Sequence, residues 1–275
     1  MEHGVRLTLA YDGTEFAGFQ RQPEARTVQG VLEAALQRVT QHAVQTRGAS
    51  RTDAGVHAEG QVVAFATARE LAPERWLLAA NRYLPADVAV QAAEACKPDY
   101  DPRFDALHKT YRYLFYLGLA RQPLLRERAW QLGRDAQRAR GTGRPVLDLP
   151  AMQLTAASMR GTHDFGAFRA ADDTRERSVR TLHEVRLIPE YLGQLQLLAL
   201  EVRGDAFMKN MVRILAGTLI AVGRGRLTPE QVSALLVSGA VRSRHSETAP
   251  AHGLTLVRMT LGRRSKLSSP ASPTA

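Results

Sequence analysis

Residues 5 to 40 most restrict what this chain can become. Val5 to Tyr11 alternates apolar and polar positions as a half-buried strand requires. Val28, Val31, Leu32, Ala35, Leu36 and Val39 then fall at i, i+3, i+4, i+7, i+8 and i+11 behind Thr27, a residue suited to cap a helix start. A strand with one apolar face followed by a helix with one apolar stripe buries both by laying the helix on a sheet.

The same two periods recur downstream. A strand near 61–67, a helix opened by Pro73 through about Tyr83 and a strand around 88–95 complete a mixed first half. Residues 109 to 117 place Tyr111, Tyr113 and Phe115 on one face of a strand and Arg112, Leu114 and Tyr116 on the other. Next come a helix near 151–160, strands near 181–188 and 194–202, and a long helix from about 206 to 223. A short helix opened by Thr228-Pro229-Glu230-Gln231 and a last strand near 254–261 end the pattern. The length of 275 residues, 44% of them hydrophobic, suffices for a sizeable core in one large domain or two smaller ones. No repeat can be read from the residues unaided.

The net charge of +10 points to a polyanionic partner and does not separate RNA from DNA or anionic lipid. Half of that charge lies between Arg121 and Pro145, where arginines 121, 126, 128, 134, 138, 140 and 144 stand against Glu127 and Asp135. Within it, 138–145 reads as a basic loop, suited either to RNA phosphates or to a solvated insertion. The serine- and proline-containing stretch 262–275, with Arg263, Arg264 and Lys266, reads as a disordered basic tail. One cysteine, Cys96, excludes an intramolecular disulfide and a cysteine-rich zinc site and reads as a small buried apolar residue. The opening Met1-Glu2-His3-Gly4 has no signal character, and the apolar stretch 214–222 is too short to span a bilayer, so the expectation is a soluble cytoplasmic protein.

The run Ser50-Arg51-Thr52-Asp53-Ala54-Gly55-Val56-His57-Ala58-Glu59-Gly60-Gln61 carries the chemistry. It groups an arginine, a carboxylate and a histidine within seven residues, with glycines that permit a sharp turn or a close approach. In an extended chain Arg51 and Asp53 share a face and can form a charge-assisted pair. An Asx-turn, with Asp53 binding nearby backbone amides, accounts for the same spacing equally well.

Arg51-Thr52-Asp53-Ala54-Gly55-Val56-His57-Ala58 resembles the signature of the TruA family of tRNA pseudouridine synthases, which most often has glycine where this chain has Ser50. Further matches follow in order. They are Leu9-Ala10-Tyr11-Asp12-Gly13-Thr14 with 16–20, Thr27-Val28-Gln29-Gly30, 81–87, Arg103-Phe104-Asp105-Ala106, and Lys109-Thr110-Tyr111-Arg112-Tyr113. Beyond these stand Gly161-Thr162-His163-Asp164-Phe165 with Phe168-Arg169, then 207–213, and finally Ala249-Pro250-Ala251-His252-Gly253-Leu254. The resemblance spans roughly residues 5 to 261.

That resemblance implies an α+β fold of two ferredoxin-like halves, 1–104 and 105–261, whose mainly antiparallel sheets join into one continuous mixed sheet with a central cleft. It also implies a homodimer acting on the anticodon stem-loop of tRNA, turning uridine into pseudouridine at tRNA positions 38, 39 and 40, with neither a metal nor a cofactor. Asp53 matches the catalytic aspartate, and Tyr111 the tyrosine against the target base. Arg213, in Asn210-Met211-Val212-Arg213, is the candidate cation for Asp53, on a stripe with Lys209 and Gly217. Arg51 is the candidate to fill the space of a flipped nucleotide, with His57 a neighbouring RNA contact. Arg169, Arg103 and Leu254 are candidates to line the cleft.

Two other readings compete. His57-Ala58-Glu59 fits half of the H-x-E…P-C-x-x-C signature of a zinc nucleobase deaminase, yet Cys96 alone cannot supply the other half. A non-catalytic RNA-binding protein accounts for the charge and the aromatic strand and leaves the Arg51-Thr52-Asp53 run without a reason.

Overall fold

A computed structural model describes residues 2–133 and 147–262. The proposed basic loop at 138–145, and the tail apart from Gly262, lie outside the described residues. In chain order the elements are β1 (His3–Tyr11), α1 (Val28–Thr40), β2 (Arg47–Gly48), β3 (His57–Thr67), α2 (Pro73–Tyr83), β4 (Val88–Cys96) and α3 (Pro102–Asp105). They continue with β5 (Ala106–Tyr116), β6 (Trp130–Gln131), α4 (Leu149–Ser158), β7 (Gly161–Asp164), β8 (Val179–Ile188), β9 (Leu197–Gly204), α5 (Met211–Gly223), α6 (Pro229–Ser233) and β10 (Leu254–Leu261).

The strands form one mixed, mostly antiparallel sheet in the order β4-β1-β3-β10-β5-β9-β8-β7, with β2 paired to β3 and β6 to β5. Both halves repeat a β-α-β-β-α-β unit. The first gives β4-β1-β3-β2 and the second β10-β5-β9-β8, so the last strand of the second unit meets the third strand of the first. That seam is short: β10 and β3 run parallel and pair only at Thr255↔His57 and Leu256↔Ala58.

Periodicity gave most of these elements because one face of the sheet is packed and the other is wet. Val5, Leu7, Leu9 and Tyr11 on β1 and Tyr111, Tyr113 and Phe115 on β5 enter one contiguous apolar core with Leu32 and Leu36 of α1 and Ile214, Leu215 and Leu219 of α5. On the wet face cross-strand ion pairs take over, among them Arg6 with Glu94 and Arg186 with Glu201. Thr27 caps α1 by accepting from Gly30 N at 3.2 Å, and Thr228 with Gln231 forms a capping box on α6.

The boundaries that differ most from the sequence reading are the starts of β3 and α5. β3 starts at His57 and not near Gln61, because the two seam pairs with β10 extend it. α5 starts at Met211 and not near 206, because Asn210 adopts a left-handed conformation (φ 59°) and ends the loop that precedes the helix. Lys209 therefore stands outside α5, and the expected stripe of Lys209, Arg213 and Gly217 does not form.

Candidate active site

The loop that follows β2 leaves the sheet and is cradled by the loop that follows β1. Phe19 N donates to Thr52 O at 3.1 Å and Gly55 N to Phe16 O at 3.3 Å, so loop backbone groups find partners outside any ladder. The approach is close enough to require glycine: Gly18 has φ 104°, and a Cβ there would lie 3.0 Å from Thr52 O. Thr52 is buried, its hydroxyl 2.8 Å from that of Tyr11. With Thr52 turned inward, its neighbours Arg51 and Asp53 turn outward into a cleft, as the alternation predicts.

Neither of the two sequence-level roles for the Asp53 carboxylate holds. Its backbone carbonyl closes a turn by accepting from Val56 N at 3.2 Å, but its side chain accepts no backbone amide, so this is not an Asx-turn. Arg51 is exposed on the rim and makes no ion pair with it. The turn at 53–56 carries Asp53 off the extended path that would have held the two side by side. The half-buried carboxylate thus stands in the cleft with no bonded partner among the described residues.

The cleft measures about 640 Å³ and opens over the seam, on the packed side of the sheet. Lys109 and Tyr111 of β5 and Leu254 of β10 line it together with Asp53, and Phe207 stands edge-on to the Tyr111 ring at 5.1 Å and 81°. Burial pushes the Tyr111 hydroxyl up to about 12, against the Ser50 side chain, which favours ionisation; the nearby charge of Asp53 adds to the rise.

Arg213 lies behind this surface. Its Nε donates to Ala249 O and its Nη1 to Asn210 Oδ1, both at 2.7 Å, so it ties α5 to the segment entering β10. Burial lowers the guanidinium, and the charge of Asp53 opposes that effect. The two residues interact through their charges rather than by contact.

Most other cations of the cleft are neutralised nearby. Lys209 Nζ pairs with Asp172 at 2.5 Å, Arg175 with buried Asp173 at 2.6 Å, and Arg103 with Asp101 at 2.5 Å. Arg175 holds Asp173 well below the usual carboxylate range. Lys109 and Arg51 have no such partner among the described residues.

Two expected site residues lie elsewhere. His57 is buried at 4% exposure and serves the seam: its Nδ1 accepts from Gly13 N at 2.9 Å and its Nε2 donates to His252 O at 3.0 Å. These bonds define a neutral ring, and burial followed by the charge of Arg128 pulls its pKa down. Arg128, one of the seven arginines of the basic stretch, is already paired with Asp12 at 2.6 Å. Arg169 is outside the cleft lining and braces it, donating from Nη1 to Arg175 O at 2.8 Å. The sequence reading passed over Lys109, Phe207, Asp173 and Arg175 as site residues. Only Lys109 carried a usable signal, two positions before Tyr111 on the same strand face.

One group of side chains could hold a metal. His108, His183 and Asp205 bring their ligand atoms within 4.8 Å of one another. His108 is next to cleft-facing Lys109 on a strand, which puts the trio on the opposite face of the sheet. Both rings bond the same Asp205 Oδ1, at 2.9 and 2.6 Å, which satisfies all three groups without an ion.

A carboxylate and a tyrosine lining one cleft rich in basic side chains, on a doubled β-α-β-β-α-β sheet, describe an enzyme built for a polyanionic substrate. Residues 8–105 and 155–260 match the family described as tRNA pseudouridine synthase. The chain belongs to that family. It is 42% identical over 253 residues to tRNA pseudouridine synthase A of Pelobacter propionicus, covering 92% of this chain and 97% of that one. It is 41% identical over 256 residues to tRNA pseudouridine synthase A of Shouchella clausii, with 93% and 92% covered. With tRNA pseudouridine synthase A of Chloroflexus aurantiacus it shares 41% over 252 residues, with 92% and 86% covered. No helix among the described residues is long and apolar enough to cross a membrane.

Proposed function

We propose that this synthase isomerises uridine to pseudouridine in the anticodon stem-loop of tRNA, at positions 38, 39 and 40, with Asp53 as the catalytic carboxylate. The observation that carries the reading is an Asp53 carboxylate that lies in the cleft with no bonded partner among the described residues. Such a group is available to a substrate atom.

The reaction breaks the N1–C1′ bond, turns the base and joins C5 to C1′, with the C5 proton removed at the end. Asp53 acts at the sugar, by attack at C1′ or by forming a glycal. Tyr111 stacks on the base, and its hydroxyl, held at about 12, stays protonated through the neutral range and can donate. Arg51, exposed on the rim, fills the gap left by the flipped nucleotide, which offsets part of an unstacking cost of a few kcal/mol. Arg213 sets the charge behind Asp53, and Leu254 closes the apolar side of the base pocket. His57 and Arg169 contribute by holding the seam and the cleft wall in place. The working unit is a homodimer in the cytoplasm, and neither metal nor cofactor enters the reaction.

Incubating the protein with unmodified tRNA and mapping pseudouridine at single-nucleotide resolution tests this. Product at 38, 39 or 40 is expected. A protein that binds tRNA and forms no pseudouridine would be the RNA-binding protein of the competing reading.

A further inference from the structure

We propose that Lys109 is a positioning residue that takes a backbone phosphate of the bound RNA beside the target nucleotide. The inference deepens the function proposed above and rests on it. Three observations of place and charge lead to it.

Lys109 lines the cleft two residues from Tyr111 and on the same face of β5, so whatever stacks on the tyrosine passes within reach of the ammonium. Its cross-strand neighbours, Gly204 on β9 and Met259 on β10, offer no charge. The carboxylates of the adjoining wall are already engaged, Asp173 by Arg175 and Asp172 by Lys209, while Arg103 is held by Asp101. Asp53 remains for the chemistry and Arg51 stands on the rim. Among the described residues Lys109 is therefore a half-buried cation with neither a hydrogen bond nor an ion pair.

An unpaired ammonium in such a place is costly unless a ligand completes it. Burial, and then the charge of Arg175, pull its pKa down to about 8. A phosphate supplies both the missing charge and the acceptors, and the ammonium can aim one of its three donors at a non-bridging oxygen. Because the bound phosphate favours the charged form, binding takes up protons at Lys109 between about pH 8 and 10, and affinity falls as pH rises through that window.

The test compares Lys109→Met and Lys109→Arg with the unchanged protein, using unmodified tRNA. In Lys109→Met we expect KM to rise about tenfold with kcat within about threefold, and the log–log salt slope of binding to fall by about one unit. In Lys109→Arg the slope returns. Calorimetry at about pH 9 in buffers of different ionisation enthalpy should show proton uptake for the unchanged protein and a loss of the Lys109 share in both variants, since arginine stays charged throughout. A Lys109→Met protein with unchanged KM and slope, or one that loses kcat alone, overturns the proposal, as does equal proton uptake in all three proteins. Should the unchanged protein bind RNA with a Lys109-dependent slope yet form no pseudouridine, the proposed function fails and the phosphate contact stands.

Discussion

The two β-α-β-β-α-β units share a strand order and differ at one strand. In the second unit β8 runs for ten residues, pairs with β9 from Leu182↔Gly204 to Ile188↔Ala199 and carries β7 on its outer edge. In the first unit the equivalent strand, β2, is two residues long, and its ladder to β3 ends as Ala49 N reaches Val62 O. Below that point β3 pairs with β10 instead. The residues released from the ladder are those that hold Arg51 and Asp53. The proposed catalytic carboxylate thus occupies the place where a strand stops early, and its loop replaces ladder bonds with bonds to the loop after β1. A full ladder makes a wall, and an interrupted one makes a site.

If that contrast is right, substitutions in the released loop should cost activity and spare stability, while the complete ladder should behave the other way. Asp53→Asn is the sharpest case. The expected loss of kcat is about 10⁴-fold or more, with a melting temperature within about 2 °C of the starting protein, because the side chain bonds no other described residue. An unfolded Asp53→Asn protein would break the comparison. Arg213→Met should lose about 10²- to 10³-fold in kcat. Its effect should overlap with that of Asp53→Asn in a double-mutant cycle, and full additivity would detach Arg213 from the carboxylate.

From the opposite unit, Leu200→Ala on buried β9 should cost about 2–5 kcal/mol of stability and leave kcat per folded molecule nearly unchanged. Chemical denaturation beside an activity assay separates the two effects. Tyr111→Phe should lower kcat by about 10- to 100-fold with little change in melting temperature. Since the hydroxyl is held at about 12, the unchanged protein should show no inflection from Tyr111 below about pH 10. The smallest effect concerns the seam. His57 is neutral in the fold and its pKa is lowered there, so the unfolded chain takes up the proton first and stability should fall as pH drops below about 6.5. Replacing His57 with Gln should flatten that part of the stability profile.

Secondary structure was legible wherever one face of an element met the core, as in β1, α1, α2 and β5, since such burial writes a period of 2 or 3.6 into the chain. It failed where partners set the limits. The first residues of β3 are strand because β10 lies beside them, and β7, at four residues, is too short to carry a period. The Asp53 candidate was picked out by a contiguous motif, and the fold places its carboxylate in the cleft. His57 was in the same motif and was misplaced, because its partner carbonyl at His252 is 195 residues away. Arg51 and Asp53 looked like a pair for a similar reason: alternation tells which face a side chain takes and is silent about a turn three residues on. Lys109 is marked by the lack of a counter-charge among the described residues, and such a lack leaves no trace in sequence.

The parallel contact of β10 with β3 has a consequence for how the molecule is made. His57 and Ala58 leave the ribosome long before Thr255 and Leu256, and both units except β10 can collect their cores in the interval, since domains tend to fold as their residues emerge. Until β10 arrives the Asp53 loop and Tyr111 belong to pieces with no shared strand, so the last strand translated among the described residues is also the one that assembles the cleft. Closing so long a loop is entropically slow. The nascent chain should therefore gain compactness early and catalytic competence late, with translation itself setting the delay between them.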